Sequence, residues 1–244
     1  PYAIYCEHIL NLEALDPLNL PPDVRVRGTA IHKALERFEL ELYNTAEELL
    51  TLIEHELRSG GEVESEIIAL RDQRFKVCQD YLDWRSAQVH EIEGAPLTED
   101  RGSITISAAA NEFMLSGTAD RIERRIGTQI AILGFNTGKP PSEKQVRSGL
   151  SPQMPLQGLI ARSGGYEKLG VSEVTALTYL RFGTQFQVQE LGASGQKGRL
   201  EAVAVDELIT AAEAGLIRLI TAFSDPEHPY LSAPRPERVQ YESA

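Results

Sequence analysis

The sequence has 244 residues, which is enough for one large domain or two small ones. Apolar residues make up 42% and charged residues 25% of the chain, so the composition excludes a disordered, collagen-like or disulfide-scaffold protein. The 36 acidic and 24 basic residues give a formal net charge of −12. This balance disfavours non-specific coating of DNA or of an anionic membrane, but it is compatible with a local basic path on an acidic body.

The chain contains two cysteines, Cys6 and Cys78, which lie far apart and have no neighbour with metal-ligand spacing. They are typical of reduced thiols in the core of a cytoplasmic protein. The apolar runs are short and no charged-then-apolar leader opens the chain, so we expect neither a membrane span nor a signal peptide. The chain begins at Pro1 without an initiator methionine, and we interpret it as a fragment of a longer polypeptide.

Residues 1–90 are predicted to be mostly helical. A short helix is expected over Tyr5–Leu15, and three longer helices over 28–43, 45–58 and 64–89. In the longer helices apolar residues recur at steps of three and four, which places them on one buried face. The residues that define these faces are Ile31, Leu35, Phe38, Leu42, Leu49, Leu50, Ile53, Leu57, Ile67, Leu70, Phe75, Val77, Tyr81, Leu82 and Trp84.

After residue 90 the apolar pattern changes to the period of two that is typical of strands. Strands are predicted over 103–107, 112–119, 129–135, 174–182 and 186–191, and helices over 153–162 and 205–222. This order predicts one α/β domain over residues 1–225, with a helical N-terminal part (1–90) and an α/β core (91–225) built on a mixed sheet flanked by helices. The proline-rich residues 226–244 are predicted to form a tail.

Two segments carry side chains suited to metal or phosphate chemistry. His32 lies on the first long helix, and Asp120 ends an apolar strand immediately before Arg121, Arg124 and Arg125. A carboxylate at a strand end can hold a divalent cation, and arginines can contact phosphates. Each segment also has an ordinary interpretation: a histidine on a helix surface, and a hairpin with solvated charges.

In chain order these segments resemble the RecB-type nuclease domain of the PD-(D/E)XK superfamily, and most of all the C-terminal nuclease domain of the AddB family. The resemblance rests on Gly28-x-x-x-His32, Gly117-Thr-Ala-Asp120, the Thr137–Pro141 turn and Gln153-x-x-Leu156, and it extends over nearly the whole chain. It implies a restriction-endonuclease-like core and a Mg²⁺-dependent DNA exonuclease. It also implies a role in bacterial double-strand break repair and recombination beside an AddA-like helicase–nuclease subunit.

The resemblance assigns roles to individual residues. His32 and Asp120 match the family's metal ligands, and Asp120 and Gln153 match two of its catalytic positions. Arg121, Lys139 and Gln153 are the residues that we expect to contact DNA. Members often have an aromatic residue four positions after the glutamine, where this chain has Gln157.

The chain departs from the family at its decisive signature, an acidic residue, any residue, then lysine. The matching positions are Gly134, Phe135 and Asn136, so the second carboxylate and the lysine are both missing. Glycine offers no ligand, and asparagine carries no charge and accepts no proton. We therefore expect weak Mg²⁺ binding and impaired catalysis, unless Lys139 replaces the lysine and Glu112 or Glu123 replaces the carboxylate.

Three hypotheses about function follow. The first is a nuclease-like domain that no longer cleaves and serves a structural or DNA-guiding role in a repair complex. The second is an active nuclease with migrated catalytic residues, and the third is a protein-interaction module that does not bind nucleic acid. Some AddB relatives carry a four-cysteine iron–sulfur cluster, but this chain has no cysteine after Cys78, so we expect no cluster.

Overall fold

A five-stranded sheet lies between two groups of helices. The computed structural model describes residues 24–41, 43–108, 111–192, 202–225 and 227–229. Its α-helices are α1 (Val24–Leu40), α2 (Ala46–Ser59), α3 (Glu64–Ala69), α4 (Arg71–Gln88), α5 (Glu143–Arg147), α6 (Gln153–Arg162) and α7 (Val205–Phe223). Its strands are β1 (Leu97–Ala108), β2 (Asn111–Arg124), β3 (Gln129–Asn136), β4 (Glu173–Phe182) and β5 (Phe186–Glu190).

The sheet is mixed and has the strand order β1-β2-β3-β4-β5. The pairs β1–β2, β2–β3 and β4–β5 are antiparallel, whereas β3 and β4 are parallel. Parallel neighbours need a long crossover, and here the crossover contains α5 and α6. The predicted fold class, a mixed sheet flanked by helices, is therefore confirmed.

The central strand β3 is buried on both faces, which explains its nearly continuous apolar sequence. Leu133 and Phe135 point to one face, where they pack with apolar residues of α1, α2 and α4. Ile130 and Ile132 point to the other face, where they pack with α6 and α7. The C-terminal end of β3 is consequently held between two helical layers.

Several predicted elements need correction. The predicted helix over 64–89 is two helices, because the backbone of Leu70 (φ −102°, ψ 6°) leaves the helical region. Leu70 and Phe75, expected on a buried face, are 37% and 38% exposed. The predicted strands 103–107 and 112–119 are only parts of β1 and β2, whose ladder pairs continue into polar residues such as Arg121.

The predicted helix over 45–58 is confirmed as α2, and Leu49, Leu50 and Ile53 of its predicted apolar face are buried. Cys78 is buried, and burial raises the pKa of its thiol to about 12. The predicted helix over Tyr5–Leu15, together with Cys6 and Leu42, falls outside the described residues. Among the helices that the structure describes, none combines the length and the apolar character needed to cross a bilayer.

Candidate functional site

Helix α1 docks on the C-terminal end of β3 through two residues one turn apart. A Cβ atom on Gly28 would lie 3.4 Å from Thr137 Oγ1, so the glycine allows a close approach at this point. One turn later, His32 Nε2 lies 3.1 Å from the carbonyl oxygen of Phe135. The Gly28-x-x-x-His32 spacing is therefore a docking motif that fixes the imidazole beside β3.

Asp120 reaches the same point from β2. The β2–β3 register pairs Arg121 with Leu133, which places Asp120 opposite Gly134. Its Oδ2 accepts a 2.7 Å hydrogen bond from the Phe135 amide, and its Oδ1 lies 3.8 Å from His32 Nδ1. Burial raises the pKa of the Asp120 carboxyl, while the Phe135 amide and His32 oppose that rise.

Glu99 is the site residue that sequence reasoning missed. The β1–β2 register pairs Thr98 with Arg121 and Asp100 with Ala119, so Glu99 lies opposite Asp120. Glu99 Oε1 is 3.9 Å from His32 Nδ1, and its φ of 46° is the single positive value among the described non-glycine residues. Burial, with the Asp120 charge, raises the pKa of the Glu99 carboxyl. No local motif marks Glu99, and only the strand register brings it to the site.

The donor atoms of these three residues fit a divalent cation. The Phe135 carbonyl can only accept, so neutral His32 carries its proton on Nε2 and leaves Nδ1 free as a ligand. Nδ1 and one oxygen of each carboxylate lie within 4.8 Å of one another, and the Nδ1–oxygen distances are too long for direct hydrogen bonds. Carboxylates suit Mg²⁺, and the added imidazole also suits Mn²⁺. A cation held here by His32, Glu99 and Asp120 would supply Lewis-acid polarisation of a phosphoryl oxygen.

Gly134 and Asn136 bring no ionisable group to this site. Gly134 is enclosed, because a Cβ atom there would lie 3.1 Å from Met154 Sδ and 3.3 Å from Tyr179 Cδ1. Asn136 is half-buried and ends β3. The second carboxylate beside Asp120 is therefore that of Glu99 on the neighbouring strand, and the described residues at the signature positions contribute no lysine.

The prediction that Arg121 contacts DNA is wrong. Successive side chains of a strand point to opposite faces, so Arg121 points away from the Asp120 face. It is 1% exposed, forms ion pairs with Glu39 and Glu123 and thereby ties β2 to α1. Its neighbour Arg124 donates to the Lys168 carbonyl.

The expectation that Glu112 or Glu123 replaces the missing carboxylate is also wrong. Glu123 is buried against Arg121, its Oε1 accepting from Arg121 Nε at 2.9 Å. Glu112 is exposed and lies eight residues along the extended β2 strand from Asp120, roughly 27 Å away. Neither reaches the site that Glu99 occupies.

Lys139 and Gln153 lie at the surface of the described structure. Lys139 is exposed in the turn after β3, and Gln153 is exposed at the first position of α6. Gln157, one turn further on, is buried and donates a 2.7 Å hydrogen bond to the Thr118 carbonyl. Gln157 thus anchors α6 to β2, whereas Lys139 and Gln153 remain free to face a ligand.

The chain is similar to one protein family and to several uncharacterized proteins. The family model described as the PD-(D/E)XK nuclease superfamily matches residues 1–234. Uncharacterized protein RC0550 of Rickettsia conorii is 27% identical over 180 residues, and uncharacterized protein RT0391 of Rickettsia typhi is 28% identical over 178 residues. These alignments cover 69% and 68% of this chain but 21% and 20% of the relatives, so the chain spans about a fifth of their length.

Among solved structures, the crystal structure of SSO0001 is similar with a TM-score of 0.31 and 11% sequence identity. That alignment covers 88% of this chain and 83% of the other. The family match, by contrast, includes both the helix that carries His32 and the strands that carry Asp120 and Gly134. On the strength of that match the chain belongs to the PD-(D/E)XK nuclease superfamily.

Proposed function

We propose that this chain is the nuclease-like domain of an AddB-type subunit in a bacterial double-strand break repair helicase–nuclease, and that it guides DNA without cleaving it efficiently. Its partners would be DNA and an AddA-like subunit, in the cytoplasm. The AddB assignment is supported by the ordered motifs from Gly28 to Gln153. The nuclease-like part is supported by superfamily membership.

The proposed loss of activity is supported by the residues at two positions of β3. The residue opposite Asp120 on β3 is Gly134, and the residue two positions later is Asn136. Phosphodiester hydrolysis of this class needs a positive group that orients or deprotonates the attacking water, and an uncharged amide does not supply it. Losing one member of such a catalytic unit commonly costs several orders of magnitude in rate.

A second candidate is an active metal-dependent nuclease with migrated catalytic residues. The position of Glu99 favours it, because Glu99 restores a second carboxylate near Asp120 and His32. A cation held by these residues would polarise the phosphate, while the role of the missing lysine would stay unfilled. We therefore rank this candidate below the non-cleaving domain.

Binding and cleavage assays on linear DNA separate these candidates. Fluorescence anisotropy should detect binding that weakens as salt is raised, because binding to the DNA backbone releases counterions. Incubation with Mg²⁺ or Mn²⁺ should give no cleavage beyond that of an Asp120→Asn control. Cleavage that disappears in Asp120→Asn would favour the active nuclease, and absence of binding at low salt would favour the protein-interaction module.

A further inference from the structure

Two tyrosines are buried between the sheet and helix α6 with unpaired hydroxyl groups. Tyr179 lies on β4 and is 4% exposed, and Tyr166 lies in the loop after α6 and is fully buried. The Oη atoms of both are buried and have no hydrogen-bond partner among the described residues. A buried hydroxyl without a partner costs free energy, so each of these groups favours an ordered water or a ligand.

The Tyr179 ring lies against Gly134, the signature position on β3. The parallel register of β3 and β4 pairs the two residues. A Cβ atom on Gly134 would lie 3.3 Å from Cδ1 and 3.5 Å from Cε1 of the ring. The ring therefore takes up part of the space that a side chain at position 134 would need, and the glycine allows it to do so.

The Tyr179 hydroxyl is also within electrostatic reach of Asp120. Burial raises the pKa of Tyr179 to about 12, and the charge of Asp120 adds to the rise. Asp120 in turn accepts a hydrogen bond from the amide of Phe135, the residue after Gly134. The hydroxyl is consequently protonated at neutral pH and is a hydrogen-bond donor near the candidate metal site.

Tyr166 shares the burial and the unpaired hydroxyl, but its ring lies over β1. A Cβ atom on Gly102 of β1 would lie 2.7 Å from Cδ1 of this ring. Burial raises the pKa of Tyr166 as well, and the charge of Asp100 contributes more to that rise than the charge of Asp120 does. Tyr166 is therefore a matched comparison for Tyr179.

We propose that Tyr179 is a positioning residue of the candidate metal site, whose hydroxyl donates a hydrogen bond to a water ligand of the bound cation. Mg²⁺ usually keeps several waters when a protein binds it, and groups that hydrogen-bond the ligands of a metal raise its affinity. This inference rests on the cation binding of the proposed function. It adds a residue of β4, a strand that carries none of the three protein ligands.

Calorimetry with Mn²⁺ on the unmodified chain, Tyr179→Phe and Tyr166→Phe tests the proposal. Each variant removes one unpaired buried hydroxyl and keeps the ring, so both should fold. Tyr179→Phe should lower the Mn²⁺ affinity by about tenfold, as the loss of a hydrogen bond to a metal ligand does, whereas Tyr166→Phe should leave it unchanged. An affinity of Tyr179→Phe that equals or exceeds that of Tyr166→Phe overturns the role of Tyr179 and leaves the cation site intact.

Terbium luminescence gives a second readout, because an excited tyrosine transfers energy to bound Tb³⁺ with an efficiency that falls steeply with distance. At saturating Tb³⁺, Tyr179→Phe should lose most of this sensitised emission and Tyr166→Phe a smaller share. Bound Tb³⁺ without sensitised emission in the unmodified chain overturns the inference without any variant. Absence of both Mn²⁺ and Tb³⁺ binding by the unmodified chain overturns the cation site itself and this inference with it.

Discussion

Gly134 and Asp120 face each other across β2 and β3, but only Asp120 offers a ligand. Glu99, on the other side of Asp120, supplies the carboxylate that position 134 lacks. Under the proposed function, the second carboxylate ligand would therefore come from the edge strand β1 and not from the central strand β3. Glu99 has a φ of 46°, in the left-handed region that non-glycine residues rarely adopt, at the point where its side chain approaches His32.

The first prediction concerns Glu99 as a metal ligand. If Glu99 is a ligand, Glu99→Gln removes one of two negative charges, and Mn²⁺ affinity should fall by about tenfold or more, which is ~1.4 kcal/mol. Isothermal titration calorimetry with Mn²⁺ measures the change. Glu112→Gln, an exposed glutamate on β2, is the matched control, and equal affinities of the two variants would remove Glu99 from the site.

Some of the site residues could be recognised from the sequence and others could not. His32 and Asp120 lie in motifs that keep the spacing of the family, and the structure places His32 Nδ1 3.8 Å from Asp120 Oδ1. The positions of Glu99 at the site and of Arg121 in the core do not follow from the sequence, because strand register and strand face decide them. A charged residue next to Asp120 can as easily be a core ion pair as a phosphate contact, and sequence spacing does not distinguish the two.

Helix α1 and strand β2 are joined by a buried ionic network. Arg121 pairs with Glu39 of α1 and with Glu123 of its own strand, and Tyr81 donates to Glu39 at 3.3 Å. The network lies on the opposite face of the sheet from Asp120, but it links the same two elements that carry His32 and Asp120. It therefore sets how α1 lies against β2.

The second prediction follows from this burial. Arg121→Ala should lower the free energy of unfolding by about 3–5 kcal/mol, because it leaves buried Glu123 without a counter-charge among the described residues and leaves Glu39 with Arg85 alone. Urea denaturation followed by circular dichroism measures the loss. Arg37→Ala, which removes the ion pairs of a 40% exposed arginine of α1 with Glu41 and Glu56, should lower the free energy of unfolding only slightly, because exposed ion pairs contribute little, and a similar effect of both variants would contradict a special role for the network.

At the level of the whole chain, the change from helical to strand periodicity near residue 90 was sufficient to predict the fold class. Helix α6 was predicted with its observed bounds, because its motif and its periodicity coincide. The lengths of β1 and β2 were underestimated because their outer halves are polar and are held by ladder pairing. The break at Leu70 has no glycine or proline to mark it.

Under the proposed function, the chain binds a divalent cation through His32, Glu99 and Asp120 but lacks the acidic residue and the lysine that cleavage needs at positions 134 and 136. The most direct measurement is Mg²⁺-dependent cleavage of linear DNA by the unmodified chain and by Gly134→Asp/Asn136→Lys. A Cβ atom at position 134 requires both the Met154 sulfur and the Tyr179 ring to move by a few tenths of an ångström, and the Met154 thioether is flexible. We predict no cleavage by the unmodified chain, cleavage by the double variant and loss of that cleavage on adding Asp120→Ala. Robust cleavage by the unmodified chain that Asp120→Ala abolishes would contradict the account.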